Sequence, residues 1–174
     1  MEEKRFCYKY PHPAVTADCV VFSFDEKQRL HVLLIKRGKD PYKDCWAFPG
    51  GFVNADESAE NAAVRELKEE TGIEISTPEQ FHTYSDPDRD PRERVITVAF
   101  ISLLETMPPA KGGDDASEVL WFSVDNLPAL AFDHDVILKD ALHHFKTQVF
   151  FPATGNLLAH IKEEEIDYLK DYLS

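Results

Sequence analysis

The sequence predicts an α/β fold, a mixed β-sheet with helices packed against it. Three observations carry that prediction. Val15–Phe24, Leu30–Ile35 and Val95–Leu104 are runs rich in β-branched and aromatic residues, the signature of strands. Ser58–Thr71 and His134–Phe145 read as helices. The two kinds of segment alternate without a regular βαβ rhythm, so parallel and antiparallel neighbours are expected in one sheet. A chain of 174 residues fits one domain. A core of that size buries roughly 70% of the surface an unfolded chain exposes, so disulfide staples are not needed.

Taken in order, Asp25–Arg29 is a polar hairpin loop joining the first two strands, and Gly38–Asp44 is polar and turn-rich. Trp46–Val53 contains Pro49, Gly50 and Gly51 and reads as a short strand that bends sharply. Ser58 is placed to cap the first helix, and Gly72 to stop it. Ser85–Arg94 is a Pro/Asp/Arg loop, Lys111–Ala116 a Gly/Asp loop, and Val119–Phe122 a further strand. An acidic amphipathic helix is expected from Lys162 onward.

Asp and Glu number 32 against 19 Lys and Arg, a formal net charge of −13. That balance excludes the basic face of a nucleic-acid binder and attachment to an anionic membrane surface. Cys7, Cys19 and Cys45 form no Cys-x-x-Cys pair and are expected to be reduced thiols. The polar first ten residues do not read as a secretory signal, and no apolar run approaches the ~20 residues that span a bilayer. A soluble, cytoplasmic protein is expected.

The informative stretch is Gly51 to Ile73, GFVNADESAENAAVRELKEETGI. At about 100° per residue, with Glu66 at zero, Glu70 falls near about +40° and Glu69 near about −60°. Three carboxylates thus share one arc with Ala59, Ala62 and Ala63, as if something must approach closely, while Lys68 points elsewhere. Clustered carboxylates repel one another unless a cation sits among them. A hard divalent ion with oxygen ligands, Mg²⁺ or Mn²⁺, resolves that conflict. Arg65 can pair with Glu57, holding the helix to the loop before it.

Gly51, Glu57, Arg65, Glu66, Leu67, Glu69, Glu70, Gly72 and Ile73 resemble, at every position, the box of the Nudix hydrolases, G-x5-E-x7-R-E-U-x-E-E-x-G-U with U aliphatic. A chance match in a chain this size is on the order of 10⁻⁷. The resemblance implies a Nudix fold, an α/β/α sandwich around a mixed sheet, over about residues 13–145, with 146–174 as a C-terminal extension. It implies hydrolysis of a nucleoside diphosphate linked to another moiety. It also implies that Glu66, Glu69 and Glu70, with the Gly51 carbonyl, are metal ligands and that Arg65 and Glu57 form an orienting pair. Bound Mg²⁺ neutralises a pyrophosphate and activates a water for in-line attack. Glu69 is the first candidate for general base, with Glu118 behind it.

Ser85-Asp86-Pro87-Asp88-Arg89-Asp90-Pro91-Arg92 is a stiff loop whose charges could simply neutralise each other locally. It also resembles the loop of a Nudix branch that includes bacterial ADP-ribose pyrophosphatases and ADP-ribose-sensing regulators. Pro87 stands fifteen residues past Gly72, and Leu127 to His134 is similar to the same branch. The resemblance makes ADP-ribose the leading substrate, cleaved to AMP and ribose 5-phosphate. Asp86, Arg89, Arg92 and Arg37 are then candidates for substrate contacts. Trp46 and Phe48 are candidates for stacking on adenine or for ordinary core packing. His134 reads as a helix-start histidine with a structural hydrogen bond.

The regulators of this branch carry a winged helix-turn-helix domain, for which the roughly 30 residues after Phe145 are too few. Their acidic character would repel DNA phosphate. The partner expected is a small nucleotide, with a homodimer left open. Two alternatives stay open as well. One is another Nudix substrate: NADH, a dinucleoside polyphosphate, a sugar nucleotide or an oxidised nucleotide. The other is a sensor module without turnover.

Overall fold

The structure, a computed structural model, describes residues 6–109, 116–151, 157–158, 161, 166 and 169–170. Strand β1 (Ala14–Phe24) is the spine of the sheet. Residues 16–23 of this strand are buried without interruption, as befits an apolar run covered on both faces. It pairs in parallel with β6 (Val95–Leu104) and antiparallel with β2 (Leu30–Arg37). The sheet is therefore mixed, as the irregular alternation of elements implied.

The β1–β2 pairing holds only near the hairpin, from Phe22↔Val32 to Phe24↔Leu30. Beyond it the two strands part, and the intervening chain fills the fork. Strand β3 (Trp46–Ala47) pairs with β2, and β4 (Gly50–Phe52) pairs with β1. Phe48 and Pro49 bridge the two arms, which is the sharp bend that Pro49, Gly50 and Gly51 foretold. Strand β7 (Ala116–Ser123) pairs with the other edge of β2, and β5 (Glu79–Tyr84) with the outer edge of β6. The polar sequence of β5, EQFHTY, did not announce a strand. It is an edge element held by one partner, where side chains need not be apolar.

Helix α1 (Ala59–Thr71) covers one face of the sheet, its Ala62, Ala63 and Leu67 packed on Ala17, Cys19, Val21 and Phe100. Ser58 Oγ accepts from the Asn61 amide, and Gly72, at φ 72°, closes the helix in the left-handed conformation. The alanines of α1 thus admit the sheet and not a ligand, which corrects the expectation that small residues mark the acids' approach face. Helix α2 (His134–Phe150) covers the other face. It runs five residues past the expected Phe145, because Val149 is buried and Phe150 packs on the same cluster.

The segment before α2 docks on β3: Trp46 N–H donates to Ala129 O at 3.1 Å and Ala131 N–H to Trp46 O at 2.8 Å. This brings the start of α2 to the fork. Residues 110–115, which hold most of the expected Gly/Asp loop, lie outside the described residues, as does most of the expected acidic tail helix, of which Ile166, Leu169 and Lys170 are helical. Among the described residues no helix is long and apolar enough to cross a membrane.

Candidate active site

The fork opens into a cleft of about 440 Å³. One wall is β4 and α1; the other is the end of β2, the loop after β5 and the start of α2.

The first wall is organised by Arg65. Its Nε and Nη2 donate to the two oxygens of Glu57 at 3.0 and 2.6 Å, and Nη1 donates to Glu66 at 2.7 Å and to Glu69 at 3.1 Å. Nη2 also reaches the Phe52 carbonyl at 3.2 Å. Glu57 in turn caps the backbone and side-chain amides of Asn54. The Arg65 bonds, first of all, pull the Glu57 carboxyl down to about 2, and the same bonds push the Arg65 pKa up.

Glu66 lies flat against Gly51: a Cβ there would sit 2.5 Å from Glu66 Oε1. Glu70 accepts from the Gly50 amide at 2.9 Å. Glu66 and Glu70 line the cleft, whereas the Glu69 side chain is 59% exposed at its margin. No group of three or more His, Cys, Asp or Glu side chains among the described residues closes into a ready ligand cage. The donor set still suits a hard cation: it offers oxygens only, and Arg65 engages only Oε1 of Glu66, where a carboxylate has about four acceptor positions.

The opposite wall is cationic and aromatic. Arg92 is clamped by Asp90, Nε to Oδ1 at 3.0 Å and Nη2 to Oδ2 at 2.7 Å, and its guanidinium lies 5.5 Å from the Phe52 ring and 5.6 Å from Phe132. Burial raises the Asp90 pKa, but the Arg92 bonds outweigh it and the net shift is downward. The Arg37 guanidinium also lies over Phe132, 4.8 Å from the ring centroid, and donates to the Pro41 carbonyl at 2.9 Å. Its pKa is lowered, first by burial and then by the charge of Arg92. Phe132 holds φ 53°, a left-handed conformation costly for a bulky residue, of order 1–3 kcal/mol. A tilted ring contact with Tyr42 at 4.7 Å and the flanking hydrogen bonds of Ala131 and His134 hold it there.

Arg89 also lines the cleft, but its fork is taken by Asp133, at 2.9 and 2.6 Å, and its side chain is only 4% exposed. It braces the loop to the start of α2. Asp133 consequently makes no side-chain cap to its own helix.

The remaining candidates fall elsewhere. Trp46 projects to the α2 face, edge-on to Phe122 at 4.6 Å, and does not line the cleft. Phe48 lines it but is buried in the core, stacked on His134. Glu118 stands half-exposed beside Lys36, at 3.0 Å, on the far side of β2 and outside the cleft. Asp86 serves the turn, its carbonyl accepting from Arg94. Composition could not reveal this, because adjacent residues of one strand point to opposite faces: Arg37 faces the cleft and Lys36 does not. Asp18, Phe52, Phe132 and the cleft-facing side of His134 have no distinct sequence signal. Each gains its position from pairing across the fork.

The cleft thus sets carboxylates of a helix along one side against arginines along the other. Residues 12–145 match the NUDIX domain family, and the chain belongs to it. It is a Nudix pyrophosphohydrolase. An ADP-ribose pyrophosphatase of Methanocaldococcus jannaschii is 48% identical over 132 residues, 75% of this chain and 74% of the relative. An ADPR responsive transcriptional repressor, NtrR, of Acinetobacter baylyi is 33% identical over 83% of this chain, which spans only 59% of that longer protein. The NUDIX domain of Shewanella oneidensis NrtR, solved with ADP ribose, superposes with a TM-score of 0.73 at 30% identity, covering 78% of this chain and 90% of that one.

Proposed function

We propose that the protein hydrolyses the pyrophosphate of ADP-ribose in a Mg²⁺-dependent reaction, giving AMP and ribose 5-phosphate. The observation that carries this reading is the opposition of the two walls. Arg37 and Arg92 are close enough for one charge to depress the other's pKa, an arrangement that invites an anion between them. Across from them, Glu66 and Glu70 would repel the same anion unless a cation intervened. The similarity to the archaeal pyrophosphatase and to the ADP-ribose-bound NUDIX domain supports the choice of substrate.

Glu66 and Glu70, with Glu69 and the Gly51 carbonyl beside them, would hold the ion. Glycine at position 51 leaves the Glu66 carboxylate room in the cleft that a Cβ would take. Bound there, Mg²⁺ or Mn²⁺ supplies charge neutralisation of the pyrophosphate and a more acidic water. Arg65 and Glu57 fix the rotamers of Glu66 and Glu69 so that the acids need not reorganise. Glu69 is the proposed base: it lies on the same helix, and its exposure gives the water's proton a route to solvent. Water adds across the P–O–P bridge, one P–O bond breaks, and each product keeps one phosphate.

The test is release of the nucleoside monophosphate from ADP-ribose, NADH, a dinucleoside polyphosphate, a sugar nucleotide and an oxidised nucleotide, with Mg²⁺ and with chelator. The highest kcat/KM is expected for ADP-ribose, with none after chelation. Glu70→Gln should lower kcat by roughly 10²–10³ without loss of fold. Absence of AMP with any divalent metal overturns the reading. Tight calorimetric binding of ADP-ribose without product would favour a sensor, the reading to which the repressor relative lends weight.

A further inference from the structure

The floor of the cleft holds two polar side chains that the proposed hydrolysis leaves without a task. Asp18 on β1 is 8% exposed and His134 at the start of α2 is 4% exposed. Each is fixed through one atom. Thr97 Oγ1 donates to Asp18 Oδ2, and the Phe48 amide donates to His134 Nδ1 at 3.0 Å, with the two rings stacked at 4.9 Å. Because Nδ1 accepts, the proton of the neutral imidazole sits on Nε2. Burial, which lowers the ring's pKa, favours that neutral form.

Among the described residues the second atom of each side chain has no hydrogen-bond partner. Among the described residues no enclosed side-chain nitrogen or oxygen lacks a partner, so Asp18 Oδ1 and His134 Nε2 open onto the cleft that both residues line. Gly50 keeps the first of them uncovered, since a Cβ there would lie 2.6 Å from Asp18 Oδ1.

We propose that Asp18 and His134 are a hydroxyl-reading pair: His134 Nε2–H donates to a ribose hydroxyl of the substrate, and Asp18 Oδ1 accepts that hydroxyl's proton in a hydrogen bond. A hydroxyl is both donor and acceptor and satisfies both atoms. A phosphate oxygen offers only acceptors and is repelled by the carboxylate; its place is between the arginines. The pair deepens the ADP-ribose reading and rests on it. It makes these two residues determinants of substrate choice, because a site built to bond a hydroxyl strongly rejects the analogue without it.

Three substrates test the pair: ADP-ribose, its analogue deoxygenated on the adenosine ribose, and its analogue deoxygenated on the terminal ribose. Two variants keep the anchors. Asp18→Asn retains an oxygen for Thr97, and His134→Asn retains an acceptor for the Phe48 amide. The wild type should lose about tenfold or more in kcat/KM on one of the two analogues, which identifies the ribose. Each variant should lose a similar factor on ADP-ribose and nothing further on that analogue. Equal wild-type turnover of all three compounds overturns the pair, as do variant losses that are the same on all three. Rescue of Asp18→Asn by excess Mg²⁺ would make Asp18 a cation ligand and overturn it too.

If the wild type shows no turnover, the hydrolase reading falls, and calorimetry with the same compounds reads the pair; equal or absent binding overturns it. In the ligand-free protein, imidazole ¹⁵N shifts should show His134 protonated at Nε2. The opposite tautomer overturns the pair whatever the substrate.

Discussion

The two walls of the cleft are built on different principles. The acidic wall lies within twenty residues of chain, and one guanidinium, Arg65, ties Glu57, Glu66 and Glu69 together. The cationic wall draws on β2, the loop after β5 and the start of α2, whose residues meet because β1 and β2 part and let other segments into the fork. Local helical geometry sets the first wall. Tertiary pairing sets the second, so its stability and its chemistry depend on braces such as Arg89–Asp133.

This contrast can be broken at its weakest joint. Arg89→Met should strand the Asp133 carboxylate at the start of α2 and cost about 3 kcal/mol in urea unfolding. A loss under about 1 kcal/mol would mean the cationic wall stands without its brace. Gly51→Ala attacks the acidic wall by volume alone. Displacing the Glu66 carboxylate should cut kcat about 10²-fold while the thermal midpoint stays near that of the wild type; unchanged kcat would show that the Glu66 position is not critical.

A third measurement separates the walls by pH. The Glu57 pKa is lowered from 4.5 to about 2 in the folded protein. Its stabilising contribution is therefore complete above the unfolded value and is lost as pH falls through the folded one. The Tm difference between wild type and Glu57→Gln should be constant near neutrality and shrink from about pH 5 toward pH 2. A difference that is flat with pH would mean Arg65 does not hold Glu57. The smallest effect is expected for Glu118→Gln, within about twofold in kcat/KM, since this residue faces Lys36 outside the cleft. A tenfold loss would return it to consideration as the base.

What the sequence revealed follows the same division. The caps of α1 and the placing of Glu57, Arg65 and Glu66 rest on contacts no more than about two helical turns apart, and periodicity reports those. Arg89 read as a ligand contact because its partner, Asp133, lies 44 residues away. For Trp46 the sequence leaves base stacking and core packing both open, because nothing local says which face of β3 meets the cleft. Asp18 sits in an apolar strand, and only its tertiary neighbours Thr97 and Gly50 distinguish it. The ends of elements were also governed by distant packing, as in α2, which continues to bury Val149.

Gly50 and Gly51 stand in tandem on β4, yet neither has the positive φ found at Gly72. Their value is missing volume, one toward the Asp18 carboxylate and the other toward that of Glu66. At Gly50 the Ala17 carbonyl crowds the place where a Cβ would sit and forbids a side chain whatever stands at position 18. At Gly51 the nearest atoms all belong to the Glu66 carboxylate, so Gly51 and Glu66 form a couple that should change together over time. A methyl group at position 51 becomes tolerable only if the facing acid retreats by a methylene, as in Glu66→Asp, and that shorter acid no longer reaches as far. The couple is locked: steric relief on one side removes reach on the other, so this corner of the cleft has little freedom to drift.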